Sequence, residues 1–181
     1  MKIDKIHHVA YRCRDAKETV QWYRDNLKME FLLAIAEDRV PSTHAPDPYM
    51  HVFLDAGDGN VLAFFELPTQ PEMGHDPNTP AWVQHIAFKV KDRETLLQFR
   101  DHLEANGIEV LGVTNHSIFH SIYFFDPNGH RVELACPDPD EAEKLKRLDA
   151  VKWEMLEEWS RTRRAPRHAA WMHEDEFNSA E

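Results

Sequence analysis

HVAYRCRDAKETVQW, starting at His8, and HIAFKVKDRETLLQF, starting at His85, are two copies of one pattern set 77 residues apart. Identities fall at His8/His85, Ala10/Ala87, Asp15/Asp92 and Gln21/Gln98, and Tyr11/Phe88, Arg12/Lys89 and Trp22/Phe99 are like-for-like pairs. A repeat of this kind marks two structural units with the same internal order. In each copy a β-prone run (Lys5 to Cys13, Trp82 to Val90) leads to an Asp suited to cap a helix, then to apolar residues at helical spacing. Asp15 with Glu18 forms a capping-box-like start.

Outward from those stretches the order continues in parallel. After Gly107, a helix C-terminal breaker, come β-prone runs over Ile108 to Val113 and Ile118 to Phe125, the turn DPNG, and a last strand from His130 to Cys136. The first copy offers Glu30 to Ala36, Tyr49 to Ala56, the turn GDGN and Asn60 to Leu67. Both copies read βαβββ. The expected fold is therefore α+β, with tandem modules over 4–67 and 81–136 forming a unit over 1–137, and a Pro-rich linker over 68–80. A second Pro-rich stretch, RVPSTHAPDP from Arg39, reads as a loop or a lid. Residues 138–181 read as an amphipathic helix striped by Leu145, Leu148, Val151, Met155 and Trp159, followed by a polar tail.

Bulk composition narrows the function. With 32 acidic against 21 basic residues and a net charge of −11, the chain lacks the clustered cations that nucleic acid or an anionic membrane would require. A small-molecule substrate is the expected partner, with no nucleic acid and no membrane. Cys13 and Cys136 are too few for a disulfide scaffold, and no apolar run suits a signal or a membrane span, so a cytoplasmic location is expected.

Strand alternation puts His8, Ala10 and Arg12 on one face of the first strand and Val9, Tyr11 and Cys13 on the other; His85, Ala87 and Lys89 repeat the pattern. A single strand histidine is more often structural than a ligand. Two at the same register of a repeat are candidates to converge on one metal ion. Glu133, in RVELA, supplies a carboxylate in an otherwise apolar strand, where an unpaired charge would be costly. His8, His85 and Glu133 form a two-histidine, one-carboxylate set, a composition associated with non-haem Fe(II). His7 has Gln84 as its counterpart and faces the other way. In the first copy, aligning Pro68 with Pro137 sets Phe64 opposite Glu133, with Glu66 two residues on; a bulge there could bring Glu66 to the metal as a fourth ligand.

These residues resemble the vicinal oxygen chelate superfamily of glyoxalases, bleomycin-resistance proteins and extradiol dioxygenases, over His8 to Cys136. The resemblance implies paired βαβββ modules in a curled eight-stranded mixed sheet around one divalent metal, commonly in a homodimer. TNHSIFHSIYFFDPNGHRVE, from Thr114 to Glu133, is similar to the signature of type I extradiol dioxygenases. That similarity implies that His116 and Tyr123 hydrogen-bond the substrate or the oxygen intermediate, with His120 as the substitute if the loop register shifts. Asn60 and Val61 stand where those enzymes commonly have a further acid/base histidine. The implied activity is Fe(II)-dependent ring cleavage of a catechol-like molecule. The alternatives are a glyoxalase I- or epimerase-like lyase or isomerase using Zn, Ni, Co or Mn, with Glu66 or Glu133 moving the proton, and a binding protein that performs no chemistry.

Overall fold

The computed structural model describes residues 2–172; residues 173–181, the end of the expected polar tail, lie outside them. Among the described residues, eight strands fall into two four-stranded mixed sheets, each carrying a helix between its first and second strands. The first sheet has strands β1 (Val9–Cys13), β2 (Phe31–Glu37), β3 (Tyr49–Asp55) and β4 (Val61–Glu66), in the order β1-β4-β3-β2. The second repeats that order with β5 (His85–Lys89), β6 (Leu111–Asn115), β7 (Phe119–Phe125) and β8 (Arg131–Pro137), as β5-β8-β7-β6. The tandem βαβββ expectation therefore holds strand by strand, and β1 pairs parallel to β4 while the other pairings of the first sheet are antiparallel.

Helix α1 (Ala16–Leu27) buries Ala16, Thr19, Val20, Tyr23, Asn26 and Leu27. That spacing of three and four residues makes one continuous stripe, which packs on β3 and β4. Asp15 caps it, accepting the Glu18 amide at 2.8 Å. In α2 (Arg93–Ala105), Asp92 plays the same part toward the Thr95 amide at 2.9 Å. Gly107 follows α2 at φ +76°, the left-handed conformation that ends a helix at little cost for glycine.

By chain contacts the molecule forms two compact units, residues 1–86 with 105–108 and 125–132, and residues 87–104 with 109–124 and 133–181. Within the first, Asp126 organises the DPNG turn: Oδ1 accepts the Asn128 and His130 amides, at 2.9 and 2.8 Å, and Oδ2 accepts the hydroxyl of buried Tyr23 at 3.1 Å. Asn128 then reaches α1, its Nδ2 donating to the Thr19 hydroxyl and its Oδ1 accepting the Arg14 amide. Burial, with Asp126 second, pushes the Tyr23 phenol well above its ordinary range.

The last helix, α3 (Glu141–Thr162), is present as expected, but no side chain on it is buried. Leu148, Val151 and Met155 are half-buried, while Leu145 and Trp159 of the expected stripe are exposed. Lys144 ties its first turn down, donating to the Ser117 carbonyl and pairing with Asp138 and Asp140.

Candidate functional site

Burial along β1 and β5 follows the alternation. Cys13 is buried and Val9 and Tyr11 are half-buried, whereas His8 and Ala10 are exposed; Ile86 and Phe88 are half-buried between exposed His85, Ala87 and Lys89. The helix side of each sheet is its apolar side, and the histidines stand on the other. His8 Nδ1 lies 2.8 Å from His7 Nδ1, so one imidazole donates to the other. His85 Nδ1 lies 3.1 Å from the Val83 carbonyl, an acceptor only, so Nδ1 carries the proton of that contact.

Neighbours of His8 include a residue that sequence reasoning missed. His51, on β3, is buried, stacked on Phe65 with ring centroids 3.6 Å apart, and 6.2 Å from the His8 ring. Its Nε2 is buried and has no hydrogen-bond partner among the described residues. Burial, then the nearby His8, lowers its pKa. The available signal was parity: Tyr49, His51 and Phe53 alternate with Met50, Val52 and Leu54, so a histidine falls among side chains of one face.

Along β8, Val132, Leu134 and Cys136 are buried on one side, and in the second unit Glu133 lies on the other beneath Ser121 and Tyr123 of β7. Glu133 is 3% exposed. Its Oε1 accepts the Ser121 hydroxyl and, at 3.1 Å, the Tyr123 hydroxyl. His116 Nε2 is 2.7 Å from the Tyr123 oxygen. With the Tyr123 proton directed to Glu133, His116 must donate through Nε2–H, so imidazole, phenol and carboxylate form one directed chain. His120 is engaged elsewhere, in a 2.7 Å pair with Asp138.

Glu66 occupies a different setting. β4 runs in unbroken register against both β1 and β3, so the bulge that would turn Glu66 toward the His8 face is absent. Phe64 is fully buried on the α1 side, 5.1 Å from the Tyr23 ring, and Glu66 shares its side. Glu66 Oε2 accepts the Ala16 amide at 2.7 Å, satisfying a donor at the first turn of α1. Among the described residues, no three or more His, Cys, Asp or Glu side chains stand together in a group that could hold a metal ion. No helix among them is long and apolar enough to cross a membrane.

Residues 5–134 match the model of the Glyoxalase/Bleomycin resistance protein/Dioxygenase superfamily. The chain belongs to that superfamily. Among relatives, it is 27% identical over 88 residues to "Putative ring-cleaving dioxygenase MhqA" of Bacillus subtilis, a match covering 49% of this chain and 28% of that protein. It is 25% identical over 142 residues to metallothiol transferase FosB of Staphylococcus epidermidis, covering 74% of this chain and 82% of that one. The chain thus spans less than a third of the first relative's length. Among solved structures, the glyoxalase family protein from Enterococcus faecalis matches with a TM-score of 0.54 at 27% identity, over 75% of this chain and 99% of that one. The fosfomycin resistance protein FosX from Listeria monocytogenes, solved with Mn(II) and sulfate, shares the fold at a TM-score of 0.56 and 18% identity, over 78% of this chain and 99% of that one.

Proposed function

We propose that this superfamily member is a metal-dependent enzyme in which His8, His85 and Glu133 hold one divalent ion, Fe(II), and that it cleaves the ring of a catechol-like small molecule with O₂. The observation that carries the ring-cleaving reading is the hydrogen-bonded chain from His116 through Tyr123 to Glu133. The donor chemistry fits a divalent metal. A ligating histidine ordinarily donates its second ring N–H to a carbonyl or carboxylate, and a ligating carboxylate is itself hydrogen-bonded. His85 donates to the Val83 carbonyl, and Glu133 accepts from Ser121 and Tyr123. Bound Fe(II) would supply Lewis acidity and open coordination positions for two substrate oxygens and O₂.

The protein's own groups would handle the proton. Tyr123 orients the carboxylate, and His116, donating through Nε2–H, keeps a lone pair on Nδ1 that can take a proton from a substrate hydroxyl. The likeness to the B. subtilis protein supports this reading. A second, non-oxidative reading, as a lyase, isomerase or transferase using Zn, Ni, Co or Mn, draws support from the longer likeness to FosB. Glu66 would belong to that reading, where it would have to release the Ala16 amide to move a proton.

The substrate is a small molecule, and the working form is a homodimer in the cytoplasm. All seven residues of β2 are exposed, Phe31, Leu32, Leu33 and Ile35 among them, which leaves an apolar edge strand for another copy to cover. Both cysteines are free and buried, as suits a reducing compartment.

Oxygen uptake with a panel of catechols, after anaerobic Fe(II) loading, tests the reaction. Turnover is expected with at least one catechol, and His116→Ala should slow it by roughly 10² to 10⁴ while metal content is kept. Uptake with no catechol would favour the non-oxidative reading.

A further inference from the structure

The turn between β6 and β7 carries His116 and closes around Ser117, a residue the proposed chemistry does not use. Ser117 is 1% exposed and stands at φ +65°, a left-handed conformation uncommon for a non-glycine residue and kept where the surroundings hold it. Each of its polar groups is taken. The amide donates to Asn115 Oδ1 at 2.7 Å, the carbonyl accepts from Lys144 Nζ, and the hydroxyl donates to the Met172 carbonyl at 2.9 Å. Lys144 and Met172 both lie beyond residues 5–134, the span matched by the superfamily model. The next residue is held from the same direction, the Asp138 amide donating to the Ile118 carbonyl at 3.1 Å.

The route of the chain brings Met172 to this turn. Helix α3 ends at Thr162, where Arg163 takes the left-handed conformation at φ +53° and its amide donates to the Trp159 carbonyl at 2.8 Å. The chain then runs back along α3 through a 3₁₀ turn at Arg167–Ala169. His168 Nδ1 lies 3.4 Å from Glu158 Oε2, and the Arg147 guanidinium lies 3.9 Å from the centre of the Trp171 ring. About four helical turns separate Arg147 from Thr162, so the segment retraces roughly 20 Å of α3 before it meets Ser117.

His116 is one residue from that meeting point. Its amide donates to the Phe119 carbonyl at 2.9 Å, its ring lies 4.9 Å from the Phe119 ring, and its Nε2 is bonded to Tyr123. His116 and Ser117 share a peptide unit, so a shift in one is felt by the other. A misplacement of about 1 Å in a reacting group can cost roughly 10²-fold in rate.

We infer that the segment from Arg163 to Met172 is a strap that positions His116, anchored on α3 through Trp171 and holding the turn at Ser117. Its effect on turnover rests on the proposed role of His116; the anchoring does not. Hydrogen exchange followed by NMR on the full, metal-free chain tests the anchoring. Trp171→Ser should speed exchange of the His116 and Ser117 amides, and of the His116 Nε2–H, about tenfold, while the amide of fully buried Ile122 in β7 keeps its parent rate. Trp171→Phe, which keeps a ring under Arg147, should stay close to the parent. Ser117→Ala should act like Trp171→Ser, and the double variant should exchange no faster than either single one, because both break the same contact. In Fe(II)-loaded protein, Trp171→Ser should lower kcat with a catechol about tenfold at unchanged KM. Unchanged exchange in both Trp171→Ser and Ser117→Ala, equal effects of Trp171→Phe and Trp171→Ser, additive effects in the double variant, or equal acceleration at Ile122 would overturn the inference. A parent that turns over no catechol would count against the role of His116 alone, since the exchange measurements need neither metal nor substrate.

Discussion

Ser121→Ala is a sharp perturbation of the proposed metal centre. Ser121 has no exposed surface, and its hydroxyl meets Glu133 Oε1, so no water can take its place. A hydrogen bond to a charged group contributes about 1.5–3 kcal/mol, and the substitution removes one atom without opening a cavity of methyl size. The metal-free protein should lose roughly that much stability, read as a lower midpoint in urea at unchanged slope. If Glu133 is a ligand, the same change should also weaken metal binding by about 10- to 100-fold, as loss of an orienting partner does elsewhere. Competition against a fluorescent chelator reads the second effect separately from the first. A stability loss with unchanged metal affinity would refute the claim that Ser121 serves a ligand, and would reduce the buried Glu133 cluster to a structural device.

Tyr23→Phe keeps the ring against Phe64 but removes the donor to Asp126; a cost of roughly 1–2 kcal/mol in chemical unfolding is expected, and a double-mutant cycle with Asp126→Asn should show strong coupling. Burial pushes the Cys13 thiol up to about 11, and burial also raises Cys136, so neither should react with a thiol reagent in the native state up to about pH 9. Both should react on unfolding; prompt native-state labelling of either would contradict the packing. Trp153, 70% exposed on α3, should tolerate change to Ser within about 0.5 kcal/mol of the parent's stability.

Much of the fold could be read from the repeat, because the apolar period changes from two in β1 to three and four in α1 and the change is marked by a capping Asp. The sides of β1 and β5 were legible for the same reason. Register across the two copies was not. Aligning Pro68 with Pro137 put Phe64 opposite Glu133, but Phe64 packs against Tyr23 on the helix side, and a one-residue error in a strand moves every side chain to the other face. Pro68 lies beyond the end of β4 whereas Pro137 is the last residue of β8, so the two prolines do not mark equivalent positions.

The stripe on α3 identified a helix correctly and its burial incorrectly, since periodicity shows that a face is apolar without showing what covers it. The DPNG turn was legible as part of an enzyme signature. Its buried web from Asp126 to Tyr23, Asn128 and Thr19 was not, because those partners are about a hundred residues apart in the chain. His51 was overlooked because nothing repeats it in the second copy.

Metal content tests the central claim most directly. Protein purified without chelators or affinity-tag metal should carry one divalent ion per chain; His8→Ala, His85→Ala and Glu133→Gln should each abolish it, and His7→Ala and Glu66→Gln should leave it nearly intact. Equal occupancy in the His8 and His7 variants, or loss of the metal in the Glu66 variant alone, would contradict the proposed ligand set.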